Sequence, residues 1–567
     1  MATTTADFAA VVPWAGVRNR PTAFPTRLEL IEQGDATDLQ FVQWSQTLKQ
    51  WVPVTVAPGS ATWGSIAGTL SSQTDLQNAL DLKADISSLA AVAFSGAYAD
   101  LTGAPSSLPP SGAAGGDLGG TYPNPTLGLV GTAGKYQRVT TDSKGRVIAG
   151  YDDVVNVDDY GADPTGVANS TTAINNAIAA LTSYSTLYLP GKYLVTPGSI
   201  GYIAGMDGIT VMGDGWKSQL YSTTTGAPGN FLEIDGSCQF VKIVNLAIVG
   251  AATVRGSGVG LRLYSSDSQV SGCYFKGCSD FAIHVAGNGG GTAYSERVSV
   301  YGNHFDAPLG DGIHLGAVKD GLVYGNLLVN TGDDSIALVA DDTAYPPLRC
   351  TVIGNHIYNA GARGITVLEA QDFLVADNHV YTSVLAGIEV NRFNSTSAYN
   401  TRGKVSGNKV YNSATTLGPI GAIGLYWVSQ VECSDNYVDT PATGSGIAYL
   451  DVLNVTIKGN TIKGAPAYGI RNTNFGIAHV ATTQGPLCIK DNVILSCTTN
   501  DGIQVTIDSG VTLYNLMVDG NEGYSIGSGT FITYDRINTG RIVNNTSFGS
   551  AITAGGTITA VTTANNN

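Results

Sequence analysis

Asp311, Asp333 and Asp334 are the residues in this chain whose types and spacing point most directly to chemistry. Asp311 lies in GDGIHL, and the other two lie in NTGDDSIALVADD, 22 and 23 residues later. Two adjacent carboxylates repel each other, and a plain turn needs only one. A third carboxylate brought beside them raises the pKa of at least one of the three. One acid is then protonated next to one that is ionised, which is the split that glycoside hydrolysis needs. Asp341 and Asp342 close the same stretch. Two other readings use the same residues. Their oxygens suit Ca²⁺, and Asp before Gly suits a turn, where it bonds to the backbone. Asp501 in NDGIQV has the turn pattern without acidic neighbours.

Positioning three acids from two segments requires a repeated scaffold, and the chain supplies one. From about residue 240 it reads as strand, Gly-Asn or Asp-Asn, apolar pair, loop, Gly-Ile, strand. The asparagines are Asn303, Asn326, Asn355, Asn378, Asn408, Asn436, Asn460, Asn492 and Asn521. Their successive separations are 23, 29, 23, 30, 28, 24, 32 and 29 residues. A period in the twenties built from short strands predicts a parallel β-helix with insertions at its turns. The asparagines are expected to stack in the turns, satisfying backbone groups and one another.

The Gly-Ile strands set a register, because side chains alternate across a strand. The Ile should point inward. The residues before Gly-Ile, or its equivalent, are Asp311, Asp334, Arg363, Ala386, Tyr468 and Asp501, and they should form an outward column. The residues after it are His284, His314, Ala337, Thr366, Glu389, Arg471 and Gln504, and they should form a second. Coils stack about 4.8 Å apart, so Asp311, Asp334 and Arg363 should make a vertical run. Asp333, Glu369 and Arg392 should sit on adjoining strand ends or turns. The expected catalytic set is Asp311, Asp333 and Asp334, with Glu389 as a further acid. His314, Arg363, Glu369 and Arg392 are expected to bind substrate. Tyr426, Trp427 and Tyr449 offer sugar-stacking faces on later coils. His284 and His314 are read as solvent or sugar contacts, since no second His lies at ligand spacing in the same unit. No metal and no cofactor are expected.

Composition agrees with an all-β chain. Of its 567 residues 72 are glycine, and only 13% are charged. The net charge of −15 argues against a nucleic-acid partner. The seven cysteines, an odd number with no CxxC pair, read as small buried hydrophobes. No apolar run approaches the roughly 20 residues needed to span a bilayer. MATTTADFAAVVPW lacks the basic and apolar regions of a secretory signal, so a protein working outside the cell is expected to leave by another route, such as lysis.

Residues 1–60 read as a small β-rich module. Residues 61–110 contain SSQTDLQNALDLKADISSL, a short helix at 71–89 that needs partners and suits three copies about one axis. Residues 111–155 include GKYQRVTTDSKGRVIAG, a hairpin turning at DSKG. Residues 156–545 form the expected β-helix. It opens with a helix capped by Asn169 or Ser170, whose stripe of Ala173, Ile174, Ala177, Ile178 and Leu181 covers the open end. Residues 546–567 read as an uncharged tail without a core of its own.

VDDYGADPTGVANSTTAINNAIAAL followed by LYLPGKYLV resembles the start of the pectate-lyase-like right-handed β-helix superfamily. WGSIAGTLSSQTDLQNALDLKA, FSGAYADLTGAPSSL and GGDLGGTYPNPTLG…VTTDSKGRVIAG are similar to segments of bacteriophage tail fibres and tailspikes. The resemblance covers most of residues 60–545. It implies a homotrimeric tailspike on the virion tail, made in the host cytoplasm. Its N-terminus would attach to phage tail, portal or baseplate proteins, and its β-helix would recognise host surface polysaccharide. The pattern DGI…GDDSIAL resembles the catalytic aspartates of polygalacturonase-type glycoside hydrolases. That family places Gly-His-Gly a coil later, whereas this chain has Arg363 in ARG, and the Arg-x-Lys motif is not evident. Polysaccharide depolymerase activity, by hydrolysis rather than lyase chemistry, is the leading expectation. A non-enzymatic receptor-binding fibre is the alternative, and a secreted cellular epimerase or lyase is a third.

Overall fold

The structure, a computed structural model, describes residues 138–566 apart from 145, 152, 288–292, 342–343, 394–399, 416–419, 440, 474–482, 508–509, 528 and 556–559. Before these it describes 40–45, 47–48, 50–55 and a few short stretches up to 127. The chain divides into two units, residues 1–128 and 129–567. In the first, Gln40–Ser45 pairs antiparallel with Gln50–Thr55. Gly112–Ala113 pairs with Thr121–Tyr122, and Leu118–Gly119 with Thr126–Leu127. Most of the expected helix at 71–89 lies outside the described residues.

The second unit opens with the expected hairpin. Arg138–Thr141 pairs antiparallel with Val147–Tyr151. Asp142 pins the turn, accepting from the backbone N–H groups of Lys144 and Arg146. The helix Thr171–Ala179 follows, and its buried stripe joins the core of the first coil. Of the two expected caps, Asn169 is the one whose side chain acts. Ser170 makes no side-chain cap, while Asn169 Oδ1 accepts from the Thr171 N–H.

Thereafter the chain winds as a parallel β-helix with three strand faces per turn. Face A precedes the asparagine corner, as in Ser299–Tyr301. Face B follows it, as in His304–Asp306, and comprises 14 strands among the described residues. Face C carries the Gly-Ile strands, as in Ile313–Leu315. All pairings on these faces are parallel, so every side chain stacks on its equivalent one coil away. Inward residues such as Ile283, Ile313, Ile336, Ile365 and Ile388 are fully buried in one continuous core. Phe275 and Phe305 stack there at 5.2 Å between ring centroids.

The asparagines form the expected ladder between faces A and B. Asn355 donates from its backbone N–H and its Nδ2 to Asn378 Oδ1, at 3.0 and 2.9 Å. Asn378 does the same to Asn408 and also donates to the Val352 carbonyl. The ladder begins where Cys273 N–H meets Asn303 Oδ1 and continues beyond the expected end through Asn545 to Asn566. Residues past 545 are therefore not a loose tail. Ala551–Gly555 adds to face C and Ala560–Ala564 to face A, with Ile552 and Val561 packed on the core. Asn566 supplies the corner amide that makes this coil possible. All seven cysteines are free, six of them buried and Cys488 partly so. Among the described residues no helix is long and apolar enough to cross a membrane.

Candidate active site on face C

The register on face C is the one the sequence implies. Arg262, His284, His314, Ala337, Thr366, Glu389 and Gly424 are successive cross-strand partners. The column before it is tied together through side chains. Asp334 N–H donates to Asp311 Oδ1 at 3.1 Å, and Arg363 N–H donates to Asp334 Oδ1 at 2.9 Å. Oxygens of Asp311, Asp333 and Asp334 lie within 4.8 Å of one another. The three carboxylates thus meet in one place.

The expected outward columns are not solvent-exposed, however. Asp311 and Asp334 are only 5% and 6% exposed, and Glu389, His314 and Arg392 are also buried. The outer side of this face is covered further along. Gly421–Ser434 is a continuous strand running from face C into face A. Its Tyr426 and Trp427 pack with Ala448 and Leu450 in an apolar cluster separate from the core. Gly424 makes this possible, because a Cβ there would sit 2.6 Å from the Tyr426 ring. Tyr426 is thus buried packing, and Trp427 lies 3.9 Å beneath the Arg392 guanidinium. Tyr449 points the other way, into the main core. The sugar-stacking expectation for Tyr426, Trp427 and Tyr449 meets no open ring face here.

Burial shapes the electrostatics. Asp334 is pushed up to about 6 by burial, with Arg363 opposing and Asp311 reinforcing the shift. The Arg363 Nη1 lies 3.6 Å from Asp334 Oδ1, and its Nε lies 2.9 Å from Glu389 Oε1. The second approach is an ion pair whose N–H is not aimed for a hydrogen bond. Glu389 also accepts from Asn391 Nδ2. Glu369 lies apart, accepting from the Phe393 N–H at a left-handed backbone position.

Several contributors were missed in the sequence. Arg255 reaches Asp333 at 2.5 Å and Asp280 at 3.1 Å. It comes from a loop with no repeat pattern, so nothing flagged it. Burial pushes Asp280 upward against the pull of Arg255. Asp280 was legible in principle: aligning His284 with His314 sets Asp280 one residue ahead of the Asp311 column. That column instead holds Phe281, whose ring stacks on His314 at 4.4 Å. His314 Nδ1 lies 2.7 Å from Asp311 Oδ2, and its Nε2 lies 3.1 Å from Asp341 Oδ1. Burial disfavours the charged ring, but Asp311 and Asp341 outweigh it and push His314 up to about 10. His284 Nε2 lies 3.3 Å from Asp341 Oδ2, and burial lowers its pKa. Asp341 is held well below the usual carboxylate range by the two histidines, against the effect of burial.

The arrangement offers a buried acid at Asp334, a partly exposed carboxylate at Asp333, and an anchored Asp311 between them and His314. Residues 208–402 and 295–484 match the family described as right handed beta helix region. Residues 208–484 are a right-handed β-helix. The chain is similar to the catalytic unit of a GH87 α-1,3-glucanase from Streptomyces thermodiastaticus strain HF3-3, at 20% identity. That match covers 73% of this chain and 68% of that one, with a TM-score of 0.44. It is similar to the A-module of the Azotobacter vinelandii mannuronan C-5 epimerase AlgE4, at 19% identity. There the coverage is 66% and 96%, and the TM-score 0.47. A mutant tailspike protein of E. coli bacteriophage HK620, solved in complex with a pentasaccharide, matches at 13% identity. That match covers 72% of this chain and 78% of that one, with a TM-score of 0.47. No curated protein sequence matches the chain.

Proposed function

We propose that this protein is a phage tailspike that binds host surface polysaccharide along its β-helix and hydrolyses it at the aspartate cluster on face C. The observation that carries the chemistry is Asp334, buried beside two other carboxylates and pushed up to about 6. A carboxyl that keeps its proton near neutrality can donate it to a glycosidic oxygen. Asp333, the more exposed of the pair, is the base or nucleophile. Oxygens of the two lie within 4.8 Å, nearer the roughly 5–5.5 Å spacing of a double displacement than the roughly 6.5–9.5 Å of a direct one. Asp334 protonates the leaving oxygen as Asp333 attacks the anomeric carbon and the glycosidic C–O bond breaks. Water then cleaves the glycosyl–Asp333 ester and gives its proton to Asp334, so one water is consumed per bond. Asp311 is a positioning residue, since both its oxygens are engaged, one by the Asp334 N–H and one by His314. Arg363 and Glu369, partly exposed, are the charged groups of the later coils for substrate, while Glu389 and Arg392 are buried behind them. The tail-fibre-like segments before residue 150 support virion attachment by the N-terminus, and the expected helix at 71–89 supports a homotrimer.

The test is incubation with purified envelope polysaccharides of candidate host bacteria. New reducing ends without unsaturated sugars support hydrolysis, and unsaturated ends would mean a lyase. A second reading, a receptor-binding fibre that does not cleave, is favoured by the low exposure of Asp311 and Asp334. Tight binding of a host polysaccharide that stays intact would establish it.

A further inference from the structure

Beside the aspartate cluster stands a group of different composition. His284 and His314 are cross-strand partners on consecutive coils of face C. Their rings meet edge to face at 5.0 Å between centroids. Asp341 arrives from the end of the next coil's strand, Ile336–Val339. Its carboxylate sits where a side chain on residue 316 would be, because a Cβ on Gly316 would lie 2.5 Å from Asp341 Oδ2. Two nitrogens and a carboxylate therefore converge: His314 Nε2 lies 3.1 and 3.2 Å from the two Asp341 oxygens, and His284 Nε2 lies 3.3 Å from Oδ2.

We propose that His284, His314 and Asp341 form a binding site for a divalent transition-metal ion of the Zn²⁺ class. Imidazole nitrogens with one carboxylate suit Zn²⁺, Co²⁺ or Ni²⁺ rather than the all-oxygen set that Ca²⁺ takes. Around a tetrahedral ion with ligand bonds of about 2.0–2.1 Å, donor atoms stand about 3.3 Å apart. The nitrogen–oxygen separations match that edge. His314 is also oriented as metal-bound histidines are. Its other nitrogen, Nδ1, contacts a buried carboxylate, Asp311, at 2.7 Å. His284 has no such partner, as its buried Nδ1 meets no acceptor. Two histidines 30 residues apart in sequence carry no motif spacing; the stacking of coils brings them together. Three protein ligands leave a fourth position, and Asp341, at 42% side-chain exposure, puts it on the solvent side. Arg262, one coil before His284, is the nearby opposing charge, and Asp311 and Asp341 offset it.

The test uses the full chain, dialysed against EDTA and then titrated with ZnCl₂ by calorimetry. One high-affinity Zn²⁺ per chain is expected, and CoCl₂ should give the visible absorption of a low-symmetry four- or five-coordinate ion. Asp341→Asn removes a carboxylate that the two histidines hold ionised, so the metal-free protein should still fold but melt at a lower temperature. It should weaken Zn²⁺ binding by at least about 10-fold, and His284→Ala should do the same. His379→Ala, at the other stacked histidine pair, should not change it. Absence of Zn²⁺ binding by the wild type overturns the proposal. So does binding that survives both site variants, or that is lost instead in His379→Ala or Asp333→Asn.

Discussion

Two corners of the β-helix solve the same problem with different side chains. Between faces A and B each coil from Asn303 onward must satisfy a buried backbone N–H, and a neutral amide does so. Each Asn accepts from its neighbour's backbone and passes on its own Nδ2, so nothing ionisable remains. Between faces B and C a carboxylate does the accepting across the coils of Asp311, Asp334 and Arg363. The direction is reversed, with the later backbone donating to the earlier side chain. A carboxylate has no Nδ2 to pass on. It brings instead a charge and a second oxygen free for other partners. Elsewhere the same position holds Phe281, Ala386, Tyr468 or Asp501, which accepts from Thr533 Oγ1. From Asn303 onward the asparagine corner is uniform, because only structure is asked of it. The aspartate corner is local, and ionisable groups buried together make it the candidate functional site.

The largest expected effect comes from making the second corner resemble the first. Asp334→Asn keeps an oxygen to accept from the Arg363 N–H and removes the proton donor. Polysaccharide cleavage should fall by roughly 10²–10⁴-fold while the melting temperature changes little. A rate assay beside a thermal melt checks both. In the wild type the donor form of Asp334 is present below about 6, so the rate should decline as pH rises through that value. Asp334→Asn activity that stays near wild type would move the acid elsewhere, with Glu389 and Glu369 the next residues to change.

Next in size is Arg363→Met. It leaves Glu389, with 4% side-chain exposure, without its cation. Stranding a buried charge costs about 3–5 kcal/mol, so chemical denaturation should show a clear loss of stability at neutral pH. Asn378→Ala probes the other corner. It removes the acceptor of two Asn355 donors and two donations of its own. The expected loss is about 1–3 kcal/mol, with cleavage by the remaining folded protein unchanged.

These contrasts also show what was legible in the sequence. The ladder was, because each coil repeats one amide with apolar neighbours at fixed offsets. The face C register was too, so that Glu389 fell opposite Thr366 as the Gly-Ile spacing implies. The burial of that face was not. On the later coils it depends on Tyr426 folding back over Gly424 and on a strand that crosses from one face to another, neither of which has a periodic signature. Tyr449 was misread for the same reason: Ile447 and Tyr449 point inward while Ala448 and Leu450 point out. The last coil was read as a tail without a core of its own, because Ile552, Val561 and Asn566 are sparse among Thr, Ala and Gly, and pairing to the coil before gives them their role.

The smallest effect should come from Arg255→Met, and it separates the two arginines of the site. Arg255 joins Asp333 and Asp280 much as Arg363 joins Asp334 and Glu389. The difference is solvent. The Arg255 side chain is 47% exposed and that of Arg363 is 25% exposed. Exposed pairs are screened by water and salt, and holding a long side chain in place has an entropic cost that offsets the attraction. Removing Arg255 should therefore shift stability by no more than about 1 kcal/mol, and less at high salt. Denaturation of both variants at low and high ionic strength checks this. If Arg255→Met proves as damaging as Arg363→Met, Asp280 and Asp333 depend on their cation as strongly as a fully buried pair. The aspartate corner would then be held as much by charge from outside the coils as by its own backbone hydrogen bonds.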